Sequence, residues 1–233
     1  MNDQQKTFIL PSKENLKIFG KWSIVAWIAF TVVYGLCNHY ASGQTELLNM
    51  YTGWELEIPL VPQMILVYLT LNILFVMVLF VLKTADSFRG LVFSILCTLG
   101  IAGVIFVVFP GHLGYERPDH VSAFAGLFKG MYEIDKPHNL FPSLHVTFSF
   151  LCIWAMIHQT SNRIFHIFMK LWFIAICASV ILVHQHHIFD VVSGLALAAF
   201  GYKYVYLRVA ERLMATKKEG TFASVIINTA SDN

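Results

Sequence analysis

Three histidines and an aspartate close a long apolar run in the segment Ser179-Val-Ile-Leu-Val-His-Gln-His-His-Ile-Phe-Asp190. Ionisable side chains at membrane depth are costly and tend to mark functional positions. His186 and Asp190 stand four apart, so on a helix they share a face and the carboxylate can hold the imidazole. An imidazole held in this way serves as a general base or a nucleophile. A second constellation, Phe141-Pro-Ser-Leu-His145, opens another apolar run. Pro142 suits the first position of a helix, where its missing N–H costs nothing. Ser143 and the free N–H groups of that turn then make an anion site, with His145 beside them. Arg117, followed by Pro118, adds a planar fork that matches phosphate, in a segment with few other cations. Together these groups point to phosphoester chemistry at a membrane surface.

Each feature also has a plainer reading. Pro142-Ser143 could be ordinary helix capping, and Arg117 a loop or interface cation. His184 and His187, with His186 and Asp190, could ligate a metal, but no further carboxylate stands nearby in sequence, so the expected site holds no metal and no cofactor. His39, His158 and His166 fall at the ends of apolar runs and read as interfacial anchors, while His112, His120 and His138 belong to a long loop. Asp86 reads as a solvated loop charge. Cys37, Cys97, Cys152 and Cys177 all lie inside apolar runs without metal-type spacing and read as small buried hydrophobes.

The elements that must position these residues follow from hydropathy. Of 233 residues 57% are hydrophobic and only 13% charged, with mean hydropathy +0.63, against about 25% charged in soluble domains. The chain reads as an integral membrane protein, and no basic tract of the kind that binds nucleic acid is present. Six apolar runs approach the ~20 residues that span a bilayer: Trp22–His39, Met64–Leu82, Leu91–Phe109, Ser143–His158, Ile164–Val183 and Ile188–Leu207. The expected fold is an all-α polytopic bundle of six transmembrane helices, with a polar segment 1–21 before it and a tail 208–233 after it, expected to be disordered. No cleavable signal peptide is evident.

Six spans place both termini on one side. If that side also holds the loops around Lys83–Arg89 and Arg163–Lys170, it carries all of the Lys and Arg residues except Arg117, Lys129 and Lys136. Positive charge collects on the cytoplasmic side, so both histidine constellations face outward. Two outer loops stand out. Residues 40–63 hold Trp54, Glu55, Glu57 and two prolines, which suggests an interfacial or re-entrant segment. Residues 110–142 form the longest loop, rich in aromatics, whose stretch Val121–Tyr132 could lie in the interface; its length favours a functional role.

With these motifs in place, the chain resembles the type-2 phosphatidic acid phosphatase superfamily. Its members are six-helix membrane enzymes with outward-facing motifs in the order Lys-x6-Arg-Pro, Pro-Ser-x-x-His or Pro-Ser-x-His, and Ser-Arg-x5-His-x3-Asp. Arg117-Pro118 resembles the end of the first, Pro142-Ser143-Leu144-His145 the second, and Ser179, His186 and Asp190 the third. The resemblance runs from about Leu91 to Leu207; the first two spans match only as hydrophobic segments. It implies His186 as nucleophile forming a phospho-histidine, Asp190 as its partner, and His145 as the proton donor and acceptor. The substrate phosphate is then expected against Arg117, Ser143, Ser179 and His187, the last as a pocket wall, three residues from Asp190 rather than four.

Two departures matter. The lysine expected seven residues before Arg117 is Pro110, and the arginine expected after Ser179 is Val180. A site short of two cations binds a phosphate dianion less well and suits a singly charged phosphodiester better. In this respect the motifs resemble those of the sphingomyelin synthase and inositol phosphorylceramide synthase branch. The expected activity is therefore lipid phosphotransfer, with a lipid phosphate or phospholipid as donor and a lipid alcohol as candidate acceptor. The alternatives are a plain phosphatase acting on phosphatidate, phosphatidylglycerol phosphate or a polyprenyl diphosphate, and a non-enzymatic lipid-binding or transport protein. The short loops suit a bacterial inner membrane, with the site facing the periplasm.

Overall fold

A computed structural model describes residues 6–117, 121, 124–209 and 212. Pro118, His120, part of the stretch 121–132 and almost all of the tail expected after Leu207 lie outside the described residues. Among the described residues eight helices follow one another: α1 (Lys13–Ser42), α2 (Met64–Tyr68), α3 (Leu71–Val81), α4 (Ala85–Val108), α5 (Ala125–Ile134), α6 (Leu144–His158), α7 (Arg163–Leu182) and α8 (Ile188–Phe200). A 3-10 turn, Gly53–Glu57, lies between α1 and α2, and α8 runs on into a π-helical turn, Gly201–Tyr206. No strand occurs among the described residues; a single bridge joins Leu48 to Gly111.

Helix starts follow side-chain caps. Ser12 accepts from the Asn15 amide, Thr84 from Ser87, and Asn162 from Ile164 and Phe165, which satisfies amide groups that have no partner inside the helix. The first cap starts α1 at Lys13, nine residues before the apolar run that begins at Trp22, because capping and not hydropathy sets the start. Asp86 is likewise not a loop charge. It sits in the first turn of α4, paired with Arg89 at 2.8 Å, where a carboxylate complements the helix dipole. α5 occupies part of the long loop that hydropathy alone left as an interfacial stretch.

Among the described residues five helical segments have the length and apolarity to cross a membrane: Lys13–Ser42, Met64–Val81 (α2 and α3 together), Ala85–Val108, Arg163–Leu182 and Ile188–Val209. α6 is the sixth apolar helix and the shortest, at 15 residues, or about 22 Å at 1.5 Å per residue. It can be short because it is central. It packs against α3, α4, α7 and α8, and Leu151, Ile153 and Met156 are fully buried. Its N-terminus begins inside the bundle, with Ser143 completely buried, and the space above it is where the site forms. Outside, Trp27, Leu36, Val104, Phe168, Leu171 and Ile174 are exposed. In an all-α integral membrane protein this apolar exterior is the surface that meets lipid acyl chains.

Close helix contact holds the centre in register. A Cβ on Gly194 of α8 would come within 2.7 Å of the Ser143 carbonyl oxygen and 3.3 Å of its nitrogen, so only glycine lets α8 approach the start of α6 this closely. The Thr147 hydroxyl bridges the same contact, with the carbonyls of Ser143 and Gly194 at 2.8 and 3.1 Å.

Candidate active site

Arg117 follows α4, His145 opens α6, and His186 and Asp190 flank the start of α8, so the three sequence constellations converge at one end of the bundle. The α7–α8 junction is tight: the amides of Gln185 and His186 both donate to the Val180 carbonyl, and His184 adopts a positive φ of 57°. This reversal aims His186 into a cleft lined by Tyr34, Tyr68, Asp135, Lys136, Asn139, Leu140 and Gln185.

His186 Nδ1 lies 3.3 Å from Asp190 Oδ2, and that carboxylate oxygen also accepts the His187 amide at 2.8 Å. The Asp190 carbonyl accepts the Ser143 amide at 3.0 Å, which locks the starts of α6 and α8 together. A carboxylate can only accept, so Nδ1 carries the proton and Nε2 keeps its lone pair. Nε2 forms no hydrogen bond among the described residues. Asp190 is 1% exposed, and its second oxygen, Oδ1, is buried without a partner.

His145 stands within electrostatic reach of His186. Its Nε2 lies 2.7 Å from the Tyr68 carbonyl and its ring stacks on that of Tyr68. The acceptor is a carbonyl, so Nε2 is the protonated nitrogen. The Leu144 and His145 amides, in the first turn of α6, have no acceptor among the described residues, whereas the Ser143 amide is spent on Asp190. The Ser143 hydroxyl caps α6 by accepting the Val146 amide at 3.4 Å.

The remaining expected phosphate ligands are placed less directly. Arg117 Nη2 donates to the Asp135 carbonyl at 2.5 Å and to Gln185 Oε1 at 3.2 Å, Nη1 reaches the Tyr132 carbonyl at 3.5 Å, and the guanidinium lies over the Tyr132 ring. Burial pulls its pKa below the usual arginine value, against the opposing pull of Tyr132 and Asp135. The fork is thus turned to protein acceptors, and buried Nε has none. Ser179 is fully buried, with its hydroxyl on the Ile176 carbonyl. His187 is the N-cap residue of α8. Its Nε2 accepts the Gly114 amide at 3.1 Å, and its ring stacks on Tyr51 and Tyr115. With Nε2 accepting, the proton sits on Nδ1, which faces Glu55 Oε2 at 3.7 Å. His184 Nε2 donates to the Ile58 carbonyl at 2.9 Å, and its ring lies on Tyr115 at 3.9 Å.

Several residues escaped the sequence reading. Glu55, read only as part of an interfacial loop, is 3% exposed and wedged at the start of α8. Its Oε2 accepts the Ile188 amide at 2.8 Å, and its Oε1 accepts the amide and hydroxyl of Thr52. Burial pushes the Glu55 pKa up, but these donors outweigh it and hold the carboxyl below its ordinary value. Asp135 accepts the hydroxyls of Tyr34 (3.2 Å) and Tyr68 (2.5 Å). Gln185, hidden between two histidines, joins Arg117 to the cleft. A ring of polar side chains drawn from α1, α2 and two loops has no sequence spacing to reveal it.

The fold and the site together define a polytopic α-helical membrane protein with a histidine–carboxylate pair set at the mouth of its bundle. The family model described as PAP2 superfamily matches residues 91–213, more than half of the chain, and the protein belongs to that superfamily, whose members are generally phosphatases or phosphotransferases. The match takes in Arg117, Ser143, His145, Ser179, His186 and Asp190. Tyr34, Glu55 and Tyr68, which complete the surroundings, lie before it. No curated protein and no solved structure matches the chain.

Proposed function

We propose that this protein is a metal-independent enzyme that transfers a lipid-linked phosphoryl or phosphoalcohol group through a phospho-histidine at the outer membrane face. The observation that carries the reading is the His186–Asp190 pair, with the unpaired Nε2 of His186 at the cleft, whose wall residue Tyr68 holds His145. The Nε2 lone pair attacks phosphorus and forms the N–P bond. The bond from phosphorus to the leaving oxygen breaks, and that oxygen keeps the electron pair and takes a proton from Nδ1 of His145 in its imidazolium form, while Nε2–H stays on the Tyr68 carbonyl. In the second half, the acceptor hydroxyl gives its proton to His145 and its oxygen attacks phosphorus. The N–P electron pair returns to Nε2, as microscopic reversibility requires. Asp190 stabilises the imidazolium character that develops at His186. The free amides of Leu144 and His145 face the developing oxyanion charge, which such donors stabilise by about 3 kcal/mol each. Arg117 adds positive charge from behind the Asp135 segment, while Ser143 and Ser179 hold the helix ends and His187 forms the wall behind the pair.

Transfer is favoured over hydrolysis by one feature of the cleft. Asp135 places a carboxylate opposite His186 while the Arg117 fork is spent on protein groups, and such a wall suits a singly charged phosphodiester better than a dianion. This agrees with the motif likeness to the sphingomyelin and inositol phosphorylceramide synthases. The asymmetry of Lys and Arg between the two faces supports cytoplasmic termini and an outward-facing cleft, as in a bacterial inner membrane with a periplasmic site.

The test is purified protein in detergent with phospholipids and lipid phosphates, with and without diacylglycerol or ceramide, beside His186→Ala, with products read by mass spectrometry. A new lipid that requires the acceptor and disappears in the variant establishes transfer. Acceptor-independent release of phosphate from a monoester establishes the phosphatase reading instead. An absence of any His186-dependent product overturns both in favour of a binding or transport role.

A further inference from the structure

The phosphoryl group needs a cation that can move to it, and the two that the superfamily motifs supply are Pro110 and Val180 here. Arg117 is committed to three protein oxygens. The cleft wall nevertheless contains Lys136, which lines the same cleft as His186. Lys136 is exposed and forms no hydrogen bond, ion pair or ring contact among the described residues. Its neighbours are fixed: the Asp135 carbonyl is held by Arg117, and the Asp135 carboxylate by Tyr34 and Tyr68. A flexible side chain on an anchored backbone, with its ammonium free, can follow a phosphoryl oxygen through the reaction, acting as a point charge where a guanidinium would demand a fixed fork.

We propose that Lys136 is the phosphate-binding cation of this site, replacing the missing motif cations from a different loop. This rests on the phosphoester reading above. Its chemical target is the non-bridging oxygen pair of a phosphodiester or phosphomonoester. Set one residue from Asp135, it leaves the cleft wall near neutral, which fits a monoanion.

The test uses full-length protein in detergent with Lys136→Gln and Lys136→Arg, read two ways. In the lipid assay, Lys136→Gln is expected to raise KM about tenfold, with Lys136→Arg within about threefold of wild type. Independently of turnover, orthovanadate, which mimics a phosphoryl group in transfer, is expected to raise the melting temperature of the wild type and of Lys136→Arg, with about tenfold higher vanadate needed for Lys136→Gln. The proposal is overturned by unchanged KM and unchanged vanadate binding in Lys136→Gln, by loss that arginine does not restore, or by a wild type that does not bind vanadate. If His186→Ala abolishes turnover while Lys136→Gln does not alter KM or vanadate binding, the phosphoester reading stands and only Lys136 falls. If vanadate binding depends on Lys136 but no lipid product depends on His186, the reverse holds.

Discussion

The imidazole of His145 lies flat on the phenol ring of Tyr68, with centroids 3.9 Å apart and planes 18° from parallel, while its Nε2 bonds the carbonyl of that same residue. One residue therefore sets both the tilt and the tautomer of His145, the proposed proton-transfer histidine, and a second bond, from the Tyr68 hydroxyl to Asp135, ties it to the cleft wall.

Substitutions at Tyr68 should separate these roles. Tyr68→Phe keeps the ring and the carbonyl and loses one hydrogen bond, worth about 1 kcal/mol, so kcat/KM should fall only severalfold. Tyr68→Ala removes the stacking surface and should approach His145→Ala, for which loss of general acid–base catalysis predicts a fall of about 10²–10⁴. Steady-state kinetics on the three variants checks the order.

Asp190→Asn should lower kcat by about 10³–10⁴ with KM little changed. An amide at this position can present N–H to Nδ1 and favour the wrong tautomer, the effect known for the aspartate of a serine-protease triad. Single-turnover measurement of the phospho-enzyme checks it, because the loss should fall on formation of the N–P bond.

Glu55 should make the fold acid-sensitive. Its folded pKa lies below its ordinary value, so the stability it contributes is complete above the unfolded carboxyl pKa of about 4.3 and is lost as pH falls from there through the folded value. Glu55→Gln should cost about 1 kcal/mol near pH 7, the scale of a lost helix cap, and should show a shallower fall in melting temperature between about pH 5 and pH 3. Thermal unfolding in detergent against pH, wild type beside variant, measures both.

Gly194→Ala should be disproportionately harmful for one methyl group. The clash is with the backbone of Ser143, which cannot swing away, so α6 and α8 must separate. The expected cost is about 1–3 kcal/mol, typical of overpacking. It should come with loss of activity, because the same contact sets His145 against His186 and Asp190. Melting temperature and turnover measured together test this. Ser193→Ala, on the neighbouring position whose hydroxyl bonds its own helix at the Phe189 and Asp190 carbonyls, serves as the control with both nearly intact.

Hydropathy by itself determined that this is an all-α membrane bundle with six apolar helices, because the cost of burying charge in hydrocarbon is written into composition over windows of about 20 residues. Local spacing likewise drew attention to His186, Asp190 and His145, although His186 stands in the turn before α8 and reaches Asp190 from there rather than from one helix face. The helices themselves start earlier than the apolar runs, at Lys13 and Ala85, because caps such as Ser12 and Thr84 set the boundary. What spacing could not decide is what meets across the bundle. Arg117 has a fork suited to phosphate in isolation, yet it folds onto the Asp135 carbonyl and Gln185. His187 looks like a second catalytic histidine, yet it is held behind the pair by Gly114, Tyr51 and Tyr115. Glu55, Asp135, Tyr34 and Tyr68 become neighbours of the site only when α1, α2 and two loops pack over the short α6. Those contacts join residues far apart in the chain, and only the tertiary structure brings them within hydrogen-bonding distance.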